Sequence, residues 1–418
     1  MKTTFLDKIE QFSYKIGQQK HIIALRDGMV LTMPLILVGS LFVIIQSFPV
    51  PAWEAFLTEV GAMSYLGGLI TGTFGIMGLV AVFGIAKRLA DSYKVDGTSA
   101  GVIALAAYLV LVPLQEGMMS TGYFGSRGLF VAVVVGLITG ELFRILIQKN
   151  IVIKMPESVP PMVAKSFTSL IPAFVIISSF AGIDLLFKAL GFTDIFQVML
   201  VILAEPLKGA SNTLWGALLA VLFNSVVWLF GVHGGQLVSS IMDPVWFMNT
   251  DANREAWQAG LELPFIVTKP FLDNFAWLGG SGASIGLAIF LFFFAKSQQN
   301  KALGKLAIVP DIFSVNEPML FGFPIVLSLD LAVPFILTPL VTATVSYLAM
   351  DWGLVHKTVG IMIPWATPPI ISGYLSTGGH ISGSILQIVN ILIAVAIYYP
   401  FAKRIDNRMR KEEEEAAG

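Results

Sequence analysis

Apolar residues run through this chain in long stretches rather than in narrow stripes. Nine stretches approach the roughly 20 mostly apolar residues with which a helix crosses a bilayer: 28–48, 68–85, 100–114, 128–147, 161–186, 213–230, 283–295, 331–350 and 382–401. Ahead of them, Phe5, Leu6, Ile9, Phe12 and Ile16 make a helical stripe with Lys8 and Lys15 off it. That pattern predicts an amphipathic helix over 1–20, on the membrane surface or packed on the protein itself. The second half is less uniform: over 232–282 and 302–324, Gly, Pro, Asn and acids interrupt the apolar residues. Backbone that is not helical survives at membrane depth only when buried in protein or lining a wet cavity. Re-entrant hairpins and broken helices are therefore expected there, around a solute site.

Composition supports a lipid environment. Of the 418 residues 56% are hydrophobic and 13% charged, with a mean hydropathy of +0.79, against about 25% charged in an average soluble domain. A net charge of −1 gives no reason to expect a nucleic acid partner. The absence of cysteine removes disulfides, thiolate metal sites and a cysteine nucleophile from these residues. No metal-ligand spacing appears, and no cofactor is expected.

Basic residues orient the spans. Lys2, Lys8, Lys15, Lys20 and Arg26 stand at the start, 49–66 has Glu54 and Glu59 but no Lys or Arg, and Lys403, Arg404, Arg408, Arg410 and Lys411 stand at the end. Both termini are expected in the cytoplasm, so the number of crossings is even and the second half hides one more. The domains expected are a scaffold at 21–190, a connecting amphipathic segment at 191–211, a substrate domain at 212–402 and a charged cytoplasmic tail at 403–418. Within that tail, 412–415 reads as a solvated, unstructured acidic run. Small residues such as Gly39, Ser40 and Gly136 in the first half suit close helix contacts and predict a homodimer formed through it.

Four segments concentrate polar chemistry: Gly231-Val232-His233-Gly234-Gly235, the stretch 273–282 with Asn274, Trp277 and Gly279-Gly280-Ser281-Gly282, Asn316-Glu317-Pro318, and Trp365-Ala366-Thr367-Pro368-Pro369. A charge in a membrane segment costs about 2.5–3.5 kcal/mol on insertion scales, which makes Glu317 a functional candidate, unless it sits at the water boundary beside Pro310-Asp311. His233 is a structural donor or a functional group with equal warrant. Together the two could hold a hydroxyl, the carboxylate taking its proton and the imidazole orienting it. Trp228, Trp277 and Trp365 suit the flat C–H faces of a sugar, or else an interfacial aromatic belt. The glycine-rich turn is an anion cradle or a close-packing element.

These segments also carry a family likeness. Asn316-Glu317-Pro318 followed by Phe321-Gly322-Phe323-Pro324-Ile325-Val326 resembles the signature of phosphotransferase-system IIC permeases. Lys301-Ala302-Leu303-Gly304-Lys305, Gly231-Val232-His233-Gly234, and Leu25-Arg26-Asp27-Gly28 with Thr32-Met33-Pro34 are similar to the lactose/cellobiose/diacetylchitobiose branch. Two positions depart from its pattern: Ser328-Leu329-Asp330 where Asn-Pro is expected, and Asp311 where glycine is expected.

The resemblance implies an all-α membrane protein of about ten transmembrane helices, plus re-entrant hairpins and amphipathic surface helices, in the bacterial plasma (inner) membrane. It implies a β-linked disaccharide, diacetylchitobiose before cellobiose or lactose. Glu317 and His233 would stand at the hydroxyl to be phosphorylated, Trp228 and Trp365 against the rings, and Asn274 and Asn316 in the pocket. The phosphate would come from a cysteine of a IIB protein, expected on a separate chain. Two other functions fit the residues: an ion-coupled secondary transporter of a small polar solute, with Glu317 carrying a proton, and a passive channel. Clustered polar residues speak against the channel.

Overall fold

The computed structural model describes residues 18–46, 51–156, 159–199, 201–202, 211–231, 233–323, 325 and 329–417. The amphipathic helix expected over 1–20 lies almost wholly outside them, as do much of 191–211 and Ser328 of the divergent Ser328-Leu329-Asp330.

Helices make up nearly all of the regular secondary structure among the described residues. The first half holds α1 (Lys20–Val30), α2 (Met33–Gln46), α3 (Pro51–Glu59), α4 (Ala62–Phe74), α5 (Met77–Ser92), α6 (Gly97–Leu111), α7 (Leu129–Gln148), α8 (Pro161–Thr168), α9 (Leu170–Ala189) and α10 (Ile195–Met199). The second holds α11 (Leu214–Leu229), α12 (Gly234–Gln258), α13 (Lys269–Phe271), α14 (Ile285–Phe293), α15 (Gln298–Ile312), α16 (Glu317–Gly322), α17 (Leu329–Asp351), α18 (Ile371–Ser376) and α19 (Ile381–Ala417). A two-residue ribbon, Leu114–Gln115 with Met118–Met119, is the one strand pair among the described residues.

Among the described residues six helical runs are long and apolar enough to cross a bilayer: Lys20–Gln46, Ala62–Ser92, Ser126–Gln148, Ser166–Ala189, Asp330–Asp351 and Ile381–Glu415. They match six of the nine expected stretches, and Gly97–Leu111 and Leu214–Leu229 supply two more as shorter apolar helices. The stretch 283–295 becomes the nine-residue α14, about 13 Å long at 1.5 Å per residue. Its turn into α15 cuts it short.

In the first half α5 is the hub, packing on α1, α6 and α7. Glycines permit the approach: a Cβ on Gly28 would lie 2.5 Å from Ile85, and one on Gly136 would lie 2.9 Å from it. The expected dimer contacts at small residues are thus used within one chain. Gly39 faces Phe74 in the same way, and the Ser40 hydroxyl accepts the Met362 N–H at 2.9 Å. The core of this half, with Ile36, Val82, Ile85, Val135 and Phe143, also takes in Phe247, Val359 and Met362 from the second half. In the second half one core gathers around Trp246, Phe271, Phe275 and Leu386, another around Phe290, Phe323, Phe335 and Tyr398.

The acidic tail is not unstructured. Helix α19 runs 37 residues through it, and Glu413 accepts the Ser297 hydroxyl at 2.6 Å and the N–H groups of Gln298 at 2.9 Å and Gln299 at 3.1 Å. Those are orphan donors at the start of α15, which a carboxylate is suited to satisfy. Asp406 adds bonds to the N–H groups of Lys296 and Ser297 and to the Asn300 amide.

Candidate functional site

Each polar segment stands at a break in a helix. Helix α11 ends at Leu229, Gly231 just beyond it has a φ of +77° that favours glycine, and His233 begins α12 as its N-cap. Its Nδ1 accepts the Gln236 N–H at 3.2 Å. An Nδ1 that accepts leaves the proton of a neutral ring on Nε2, so the outer nitrogen is a donor and the exposed ring presents it. Trp228 packs against the imidazole, ring centroids 4.5 Å apart and tilted 48°. It is only 5% exposed and its indole N–H has no protein partner. The geometry makes it a wall that fixes the imidazole.

Glu317 opens α16 directly before Pro318, where a proline with no N–H and a pre-set φ suits the first turn. Its side chain is exposed and within electrostatic reach of the His233 ring. Asn316 beside it is buried, and its amide donates to the Ser281 carbonyl at 2.8 Å and the Ser284 hydroxyl at 2.9 Å. That amide nitrogen is occupied inside the protein.

Asn274 lies within a π-helical turn, Leu272–Ala276, the kind of break often found at functional sites. Its side chain is 4% exposed. Its carbonyl accepts the Gln387 amide at 2.6 Å, and the Gln387 Oε1 accepts the N–H groups of Ile370 at 2.5 Å and Gly373 at 2.8 Å. One glutamine of α19 thereby joins the Asn274 turn to the chain leaving Trp365. Trp365 is 53% exposed, an open indole face five residues before that bond. Trp277 is buried. The glycine-rich turn packs closely: a Cβ on Gly282 would strike the Phe335 ring at 2.2 Å, and in α14 beyond it one on Gly286 would strike the Ala394 backbone at 2.3 Å.

Several polar residues around these motifs were not among the site candidates read from the sequence. Lys269 is buried with Nζ 3.2 Å from Asp273, 3.5 Å from Asp243 and 3.3 Å from the Ser239 hydroxyl. Arg26 of α1 pairs with Asp27 and donates to the Gln236 side chain at 2.6 Å, so the first half touches the turn that carries His233. Asn224 sits fully buried in α11 beside Ser281. The signal available was a polar or charged residue within an apolar run. Among the described residues no group of three or more metal-ligating side chains occurs.

The whole arrangement has known counterparts. A family model described as "Phosphotransferase system, EIIC" matches residues 26–339. The lichenan permease IIC component of Bacillus subtilis (strain 168) is 44% identical over 97% of this chain and 94% of its own length. The cellobiose-specific EIIC component of Geobacillus stearothermophilus is 44% identical over 98% of this chain and 95% of its own. Among solved structures, the crystal structure of the transporter ChbC, the IIC component from the N,N'-diacetylchitobiose-specific phosphotransferase system, is similar with a TM-score of 0.95 at 42% identity, covering 98% of this chain and 99% of that one. The match runs through the apolar spans and through the breaks that hold His233, Asn274 and Glu317, and the chain is a multi-pass membrane protein that belongs to the EIIC family of the phosphotransferase system.

Proposed function

We propose that the chain binds a β-linked disaccharide, carries it across the bacterial plasma membrane, and presents one of its hydroxyls to a phosphorylated IIB protein. The observation that carries this reading is the placement of Glu317 within electrostatic reach of His233, both side chains exposed at helix breaks. In the reaction the sugar oxygen attacks the phosphorus of a cysteinyl phosphate, the S–P bond breaks, and the thiolate leaves on IIB. Glu317 takes the hydroxyl proton, and the His233 Nε2–H holds the oxygen in line. Trp365 stacks on a ring, and Trp228 keeps the imidazole in place. The thiol has to be supplied from outside these 418 residues, which contain no cysteine. Cellobiose, diacetylchitobiose and lactose are the substrates to try first.

The same reading assigns the architecture. With Gly97–Leu111, Leu214–Leu229 and Gly234–Gln258 added to the six long apolar runs, the crossings number nine, and cytoplasmic placement of both termini requires a tenth from the second half. Residues 21–190 form the scaffold through which two copies pair, and 212–402 form the moving sugar domain.

The test is uptake of labelled cellobiose or diacetylchitobiose by sealed vesicles holding the purified chain. Labelled sugar phosphate should accumulate only with phosphorylated IIB inside. Free sugar accumulating without IIB, and collapsing with a proton uncoupler, would overturn the proposal in favour of ion coupling.

A further inference from the structure

Asp311, near the end of α15, is fully buried. Its Oδ1 is 2.8 Å from the Ser284 hydroxyl, while its Oδ2 has no hydrogen-bond partner. Among the described residues no cation pairs with it. Burying a carboxylate this way is costly, and close packing of α15 alone would be served by an apolar side chain.

The surroundings are shaped to it. Gly279 has φ +76°, and a Cβ there would lie 2.5 Å from Asp311 Oδ2. Gly280 has φ +98°, and a Cβ there would lie 2.7 Å from the Asn316 amide carbon. Two glycines in a conformation that other residues rarely adopt thus let one turn close over both side chains. Ser284 is the hub, 2.8 Å from Asp311 and 2.7 Å from the Gly279 carbonyl, and it accepts the Asn316 amide at 2.9 Å. The Asn316 amide also reaches the Ser281 carbonyl, and the Ser281 hydroxyl lies 3.3 Å from the Asn224 amide, one helical turn ahead of Trp228. Every member but Ser281 is buried.

We infer that Asp311 is a positioning residue for phosphoryl transfer: through Ser284 it locks the Asn316 amide, and with it the start of α16, in the setting where the Glu317 carboxylate meets the sugar hydroxyl. This rests on the reading of Glu317 as the group at that hydroxyl. A carboxylate misplaced by about 1 Å still binds sugar but loses much of its rate advantage. The signature is therefore a fall in turnover with affinity retained.

The experiment compares purified variants by calorimetric cellobiose or diacetylchitobiose binding and by phosphorylation of the same sugar at saturation with phosphorylated IIB. Asp311→Ala should lower turnover per folded molecule about tenfold or more while the dissociation constant moves less than about threefold. Asp311→Asn keeps an oxygen for Ser284 and should restore most of the rate. Ser284→Ala removes the hub and should reproduce the loss. Unchanged turnover per folded molecule in Ser284→Ala would overturn the inference, leaving the cluster a brace for folding alone. The Ser284→Ala and Asp311→Asn pair decides the matter if Asp311→Ala fails to fold. Glu317→Gln separates the two levels. Normal turnover there removes the reading beneath the inference, whereas a slow Glu317→Gln with a normal Ser284→Ala removes the inference alone.

Discussion

Replacing Glu317 by Gln keeps its volume and removes the proton acceptor, so binding and chemistry can be read apart. Phosphorylation at saturating sugar should fall by about 10²-fold, the range of general acid–base help, with a smaller change in the dissociation constant measured on the same preparation. His233→Ala should weaken both, because the donor and the filled space beside Trp228 are lost together. For Trp365, 53% exposed, truncation to Ala should leave the melting temperature in detergent nearly unchanged. It should weaken sugar binding by about thirtyfold, the equivalent of about 2 kcal/mol for an aromatic anchor. Lys269→Met is the opposite case. It leaves the partly buried Asp243 and Asp273 without their cation, and should lower stability by about 3 kcal/mol, read as a loss of melting temperature before any change in affinity. At this scale the sequence marked Glu317 and His233 through polarity in an apolar context. Asn316 and Trp228 were legible as important, but whether each faces the sugar or the protein depends on the partner it meets, Ser284 for Asn316 and the His233 ring for Trp228.

Among the elements, α12 best separates pattern from structure. Its 25 residues would span about 37 Å, yet Asp243, Asn249, Asp251, Asn253 and Arg254 keep it out of any hydropathy window. Several of those side chains find partners inside the protein: Asn253 donates to the carbonyls of Phe265 and Thr358, and Arg254 pairs with Asp251 and lies over the Phe74 ring. Burial against protein rather than lipid is what lets so polar a helix stand there. The opposite holds for the run Ser166–Ala189, whose apolar window is only 22% buried, with Phe174, Leu185 and Leu186 strongly exposed. Lipid or a second copy must cover that face. Because the chain has no cysteine, a single Leu185→Cys in native membranes should give a disulfide-linked dimer on mild oxidation. Ile385→Cys, in the sugar domain, should stay monomeric. The reverse outcome would place the dimer contact in the second half.

For the molecule as a whole, the two halves meet through specific polar contacts. The Ser126 hydroxyl donates to Asp251, Gln258 reaches Gln46, Arg26 reaches Gln236, and Met362 reaches Ser40. If the sugar domain moves against the scaffold, these bonds define the state described here. Orientation can be checked at the same scale. A membrane-impermeant thiol label on Arg410→Cys should react in inside-out vesicles and not in intact cells if that end is cytoplasmic, as Lys403, Arg404, Arg408, Arg410 and Lys411 predict.

The membrane class and six of the nine apolar stretches as spans were determined by sequence alone, because insertion depends on summed apolarity over about 20 residues and that sum is local. The same holds for the family, since the Asn-Glu-Pro and Gly-Val-His-Gly motifs are contiguous. Tertiary structure decided what locality cannot. It shortened 283–295 to α14, made a polar stretch into α12, ordered the acidic tail by giving Glu413 the open end of α15, and turned Gly39 and Gly136 inward. It also gathered Asn224, Ser281, Ser284, Asp311 and Asn316 into one hydrogen-bonded cluster. Whether a buried polar group is tolerated depends on the partner it finds, and here those partners come from segments far apart in the chain.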